Sequence, residues 1–132
     1  MVMPEELIRS AENAMHGSYA PYSNFKVGAA LLCENGTIFT GCNIENASYP
    51  AGICAERVAL SKAISEGHQR FLSIAIVGGE DGEIGDYCYP CGICRQVLAE
   101  FVDADFKFYF KNAEERIISY AMEELLPHSF SF

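Results

Sequence analysis

Phe71-Leu72-Ser73-Ile74-Ala75-Ile76-Val77 is almost continuously apolar and stands between two segments of helical periodicity. Such a run reads as a strand buried on both faces, which a sheet achieves when helices cover its two sides. Upstream, Ala55, Val58, Ala59, Ala63 and Ile64 recur at helical spacing from Cys54 to about Glu66, and Gly67 supplies the stop. Downstream, beyond an acidic, glycine-rich loop at 78–86, Cys91, Cys94, Val97, Leu98, Phe101 and Val102 share a second helical face. Phe106, Phe108 and Phe110 then alternate with Lys107 and Tyr109, the period of a strand.

Toward the N-terminus, strand-like runs at 27–33 and 37–42 flank Glu34-Asn35-Gly36. Asn-Gly is a strong hairpin signal, so these two pair antiparallel. The polar stretch 43–53 contains Pro50 and reads as a loop, the kind of segment that carries ligand contacts on a rigid scaffold. Residues 5–16 place Leu7, Ile8, Ala11, Ala14 and Met15 on one face of a first helix, with Pro4 at its start and Gly17 at its end. Residues 119–126 read as a last short helix before Pro127. The order helix, strand, strand, helix, strand, helix, strand, helix predicts an α/β fold: a three-layer α/β/α sandwich around a mixed, mostly parallel sheet. In such a sheet the strand-to-helix junctions at Cys54 and Cys91 open at the same end, where ligand sites gather.

With 132 residues, half of them apolar, the chain suits one domain spanning 1–132. The net charge is −9, and the 9 basic residues form no cluster. Polynucleotide binding rests on Lys and Arg neutralising phosphates, so a nucleic-acid polymer is excluded as the expected partner in favour of a small ligand. The first ten residues lack the basic and apolar pattern of a signal peptide, and no apolar run approaches the roughly 18 residues that span a bilayer. A cytoplasmic protein without a membrane partner is expected.

Six cysteines occur, three of them at 88, 91 and 94. In a reducing compartment this clustering points to metal or catalysis rather than disulfides. A lone C-x-x-C also serves redox centres and structural zinc; joined to Cys54-Ala55-Glu56-Arg57 at a helix start it becomes specific. Thiolates of Cys54, Cys91 and Cys94 from two helix N-termini fill three corners of a zinc tetrahedron and leave the fourth for water. The positive end of each helix lowers thiol pKa and favours the thiolate. Side chains of a first turn tilt toward the N-terminus, so Cys54 can ligate while Glu56 leans over the open corner. Three thiolates on a divalent ion leave one net negative charge, which weakens its Lewis acidity; Arg57 is the candidate to offset it by hydrogen-bonding the sulfurs.

These two segments resemble the zinc nucleoside deaminases. Pro21-Tyr22-Ser23-Asn24-Phe25-Lys26-Val27-Gly28-Ala29-Ala30-Leu31-Leu32 and Gly41-Cys42-Asn43-Ile44-Glu45-Asn46-Ala47-Ser48-Tyr49-Pro50 are similar to the small homotetrameric cytidine deaminases, as is the tail from Leu125 to Phe130. The resemblance implies hydrolytic deamination of cytidine and deoxycytidine to uridine and deoxyuridine in pyrimidine salvage, with one zinc per subunit. It implies that Glu56 takes a proton from the metal's water, passes it to ring N3 while hydroxide attacks ring C4, and then protonates the departing amine. It assigns Phe25 to stacking near the base, Asn43 and Glu45 to the ribose 3′ hydroxyl, and the Ala55 backbone to the pyrimidine edge. Ala47, Tyr49 and Phe130 would reach toward a neighbouring subunit's site in a homotetramer. A carboxylate at the ribose welcomes a hydroxyl and repels a phosphate, so Glu45 favours a nucleoside over a nucleotide.

Plainer readings stand beside these. Cys33 and Cys42 fall inside strand patterns and suit small apolar core positions. Cys88 as a fourth sulfur would close the coordination sphere and make the zinc purely structural. Glu56 alone would pass for a first-turn acid on a helix dipole. Cys91 and Cys94 would serve thiol redox if they cycled through a disulfide without metal. A structural zinc module that binds another protein, and deamination of a related cytosine compound, complete the alternatives. His16, His68 and His128 match no motif and read as surface residues.

Overall fold

The run at 71–77 lies in the middle strand of a five-stranded sheet of order β2-β1-β3-β4-β5. The computed structural model describes all 132 residues. Its elements are α1 (Pro4–Met15), β1 (Phe25–Cys33), β2 (Ile38–Cys42), a 3-10 turn (Tyr49–Ala51), α2 (Ala55–Ser65), β3 (Phe71–Glu80), α3 (Gly92–Ala99), β4 (Lys107–Lys111), β5 (Ile117–Ala121) and α4 (Met122–Leu125).

Alternation along the strands sorts side chains to two cores. Ala30 and Leu32 of β1 with Ala75 and Val77 of β3 meet Leu7, Ile8, Ala11 and Met15 of α1. Ala29, Leu31, Ile74, Ile76, Phe108 and Phe110 point the other way, onto Ala55, Ala59, Leu60 and Ala63 of α2 and Leu98 of α3. Helices therefore cover both faces, which is why β3 tolerates no polar alternation over most of its length. The three-layer α/β/α arrangement with a mixed sheet is as expected from the sequence.

The expectation of a mostly parallel sheet is corrected. Only β3 and β4 pair parallel; β1–β2, β1–β3 and β4–β5 are antiparallel. The helical crossovers do keep β2, β3 and β4 running the same way. The hairpin returns β1 between β2 and β3, however, and β5 folds back on β4, so each interleaved strand opposes its neighbours. β5 itself is a second correction, since 119–126 read as one helix. Residues 117–121 pair with β4, and α4 holds only 4 residues. The β4–β5 turn contains no glycine: the Asn112 carboxamide accepts from the Arg116 N–H at 2.9 Å, and Glu115 takes φ +63°. A left-handed residue without glycine leaves no turn signal to read.

The first hairpin behaves as its sequence dictates. Gly36, at φ +94°, follows a turn closed by its N–H to the Cys33 carbonyl at 3.0 Å, the three-residue loop in which a left-handed glycine makes a bulge. Because β2 and β3 are both antiparallel to β1, they end at the same edge of the sheet. There α2 and α3 begin. Gly41 sets the seat of α2: a Cβ at this position would lie 2.4 Å from the Ala55 carbonyl oxygen and 2.6 Å from the Ala59 nitrogen. The helix backbone thus rests directly on β2, which places residues 54–57 at the sheet edge.

Candidate active site

Cys54 and Cys91 occupy the N-cap positions of α2 and α3, with extended backbones (ψ 154° and 169°), and Cys94 lies in the first turn of α3. Their three sulfurs lie within 4.8 Å of one another. Zinc–sulfur bonds of about 2.3 Å in a tetrahedron space sulfurs by about 3.8 Å, and Cys54 Sγ stands 3.9 Å from Cys91 Sγ. Three clustered thiols are a donor set that suits zinc. All six cysteines are free thiols, so Cys91 and Cys94 are not paired in a disulfide.

The Cys54 thiol is drawn down to about 5, first by its hydrogen bond with Cys94 and then, against the cost of burial, by Arg57 and Cys91. Cys94 moves the opposite way, as the partner that keeps the proton and as a buried group. Arg57 donates from Nη2 to Cys54 Sγ at 3.8 Å, while its buried Nε has no partner. The guanidinium thus faces the Cys54 sulfur. Glu56 is 3% exposed, and burial pushes its carboxyl up to about 7. A buried carboxyl in the first turn of α2 would be costly as a mere dipole partner.

Cys88 does not join the sulfur cluster. It packs within 3.0 Å of where a Gly78 Cβ would sit, and burial pushes its thiol up to about 12. Cys54, Cys91 and Cys94 would hold the zinc as three protein ligands, the number typical of a catalytic rather than a structural metal.

Beside the sulfurs opens a cavity of about 500 Å³, walled by Asn43, Glu45, Tyr49, Cys54, Arg57 and Cys91 among others. The Asn43 carboxamide accepts from the Val27 N–H at 2.9 Å and from the Ser18 hydroxyl, and donates to the Phe25 carbonyl at 2.8 Å. One of its two N–H donors remains free. Glu45 accepts from the N–H groups of Tyr22 at 2.9 Å and Ser23 at 3.2 Å, and from the Ser23 hydroxyl. The Ser23 hydroxyl, with these backbone donors, holds its carboxyl below the usual range. Both side chains are thus fixed before any ligand arrives. Ala55 is wholly buried at the first position of α2.

Four expected contact residues, the buried Ala55 among them, lie off the cavity wall. Phe25 lines an adjoining hollow with Gly78, Gly79 and Tyr87. Ala47 is exposed in the loop, and Phe130 is exposed in the tail, its carbonyl accepting from Gln96 Nε2 at 3.1 Å. Sequence reasoning missed Ile93, Tyr22 and Ser23 on the wall. The last two lie in the Pro21–Leu32 motif, yet nothing in its spacing shows that they grip Glu45 from 23 and 22 residues away.

Residues 1–110 match the family model for the cytidine and deoxycytidylate deaminase zinc-binding region. The chain is 47% identical over 125 residues to the cytidine deaminase of Halalkalibacterium halodurans, covering 95% of this chain and 92% of that one. With the cytidine deaminase of Sporosarcina psychrophila it shares 45% identity over 127 residues, 96% and 90% of the two chains. A crystal structure of cytidine deaminase from Burkholderia pseudomallei superimposes with a TM-score of 0.90 at 41% identity, covering 98% of this chain and 100% of that one. The chain belongs to the cytidine and deoxycytidylate deaminase family, with zinc as its metal.

Proposed function

We propose that this chain hydrolyses free cytidine and deoxycytidine to uridine and deoxyuridine plus ammonia, with Cys54, Cys91 and Cys94 holding the zinc and Glu56 carrying the proton. The observation that carries this reading is the cluster of three sulfurs, with the buried Glu56 carboxyl against Cys94, behind a cavity large enough for a nucleoside whose wall holds Cys54 and Cys91. Zinc, when bound, supplies the Lewis acidity that makes water a nucleophile near neutral pH.

Glu56 takes the proton that water gives up and delivers it to ring N3 as oxygen bonds to ring C4. The same carboxyl then takes the proton of the new C4 hydroxyl and passes it to the exocyclic amine, and ammonia leaves as the C4–N bond breaks and the C4 carbonyl forms. Burial suits Glu56 to both steps, because a carboxyl near 7 gives and accepts a proton with similar ease. Arg57 offsets the charge of the thiolates through its bond to Cys54. The free N–H of Asn43 and the remaining lone pairs of Glu45 are offered to the ribose 3′ hydroxyl, the Ala55 backbone to the pyrimidine edge, and the Phe25 ring to the base.

An ionised Glu45 on the wall supports a nucleoside over a nucleotide, since it repels phosphate. Faster turnover of the 5′-monophosphate than of cytidine would overturn that preference. Tyr22, Ile44, Tyr49 and Ile93 expose apolar surface around the cavity, and Phe130 and Phe132 do so in the tail. These faces support a homotetramer in which Ala47, Tyr49 and Phe130 approach a neighbouring subunit's site. No helix is long and apolar enough to cross a membrane; the proposal places this single domain in the cytoplasm, in pyrimidine salvage.

The test follows the ultraviolet change of cytidine with and without a strong zinc chelator. Loss of turnover on chelation and its return with added zinc is the expected result. Turnover that survives complete zinc removal would overturn the reading.

A further inference from the structure

Of the three cysteines, Cys91 has the weakest visible hold. Cys54 receives the Arg57 guanidinium, and Cys94 is buried within α3. Cys91 is exposed, precedes the helix, and makes no side-chain capping bond. Pro90, just before it, has no N–H with which to tie the chain down. What fixes this turn is Arg95. Its backbone N–H donates to the Cys91 carbonyl at 3.0 Å, and its side-chain Nε donates to the Pro90 carbonyl at 2.8 Å. From the same guanidinium, Nη1 donates to the Leu125 carbonyl at 2.8 Å, at the end of α4.

We infer that Arg95 is a positioning residue for the metal site, clamping the Pro90–Cys91 turn to the C-terminal segment so that Cys91 stays in ligating position. The inference rests on the reading of Cys54, Cys91 and Cys94 as the zinc ligands. A planar guanidinium holds two carbonyls at fixed angles, whereas a lysine ammonium on its flexible stem is a single point of charge. Gln96 adds a second tie to the tail through the Phe130 carbonyl. The hold on one zinc ligand thereby depends on a segment about 30 residues further along the chain.

The experiment loads wild type, R95M, R95K and L7A with zinc, counts zinc per chain, and measures its transfer to a chromogenic chelator at one temperature below every melting midpoint. L7A opens a cavity in the α1 layer, on the far side of the sheet, and controls for general loss of stability. R95M is expected to release zinc about 10- to 100-fold faster than wild type, the usual effect of removing a group that orients a ligand. R95K should fall between, and L7A should release at the wild-type rate despite a lower melting midpoint. If R95M does not fold, R95K carries the comparison and is still expected to release faster than wild type. A wild-type rate in a folded Arg95 variant overturns the inference, as does equal acceleration in L7A. Absence of zinc from wild type would instead bring down the ligand assignment on which the inference rests.

Discussion

Glu56 and Cys54 are two residues apart on α2, a spacing at which side chains do not share a helix face. In the proposed mechanism both would act at one point, because Cys54 is the N-cap and Glu56 lies in the first turn, at the end of the helix rather than along its side. The E56Q protein should keep one zinc and lose turnover by at least about 10²-fold, since the amide occupies the same space without carrying a proton. Near-normal turnover with zinc in place would refute the proton-carrying role. Cys88→Ser separates the catalytic from the structural metal: zinc content by atomic absorption should stay at wild-type level, and its loss would make Cys88 a ligand. Asn43→Ala removes the partner of the Val27 N–H and the Phe25 carbonyl. It should lower stability in urea by about 1–3 kcal/mol as well as weaken substrate binding. An unchanged midpoint would show that the carboxamide serves the ligand alone. The three clustered cysteines and Glu56 were legible because Cys-Ala-Glu and C-x-x-C are local patterns. Arg95 and the Tyr22–Ser23 grip on Glu45 were not, since hydrogen bonds to backbone from distant side chains leave no periodicity.

At the level of elements, the close seat of α2 on β2 is the feature the site depends on. Gly41→Ala should drive a methyl against the Ala55 carbonyl and shift the first turn that bears Cys54 and Glu56. Overpacking of this kind costs about 1–3 kcal/mol. Zinc affinity should fall together with the melting midpoint, and a variant that loses neither would show that the helix adjusts freely. The same elements explain what the sequence could and could not disclose. A run buried on both faces, as at 71–77, announces helices on each side, and Asn35-Gly36 announces a hairpin. The hairpin's place in the sheet is not local information: β1 pairs with both β2 and β3 across 9 positions of β3 register. That non-local pairing is what made the sheet mixed rather than mostly parallel. β5 escaped because Ile117–Ala121 is short and joins without a break to α4, so its strand period and the helix period blur together.

For the whole molecule, an acidic balance of charge suits a small ligand rather than a polyanion, and the proposed homotetramer is open to direct test. Light scattering on zinc-loaded protein should give the mass of four chains. A fully active monomer would show that Ala47, Tyr49 and Phe130 do not act on a neighbouring subunit's site. The central claim, however, concerns a single coordination position. X-ray absorption at the zinc edge of the loaded protein, without substrate, tests it most directly. Three sulfurs at about 2.3 Å and one oxygen at about 2.0 Å are expected; four sulfurs around the metal would contradict the account.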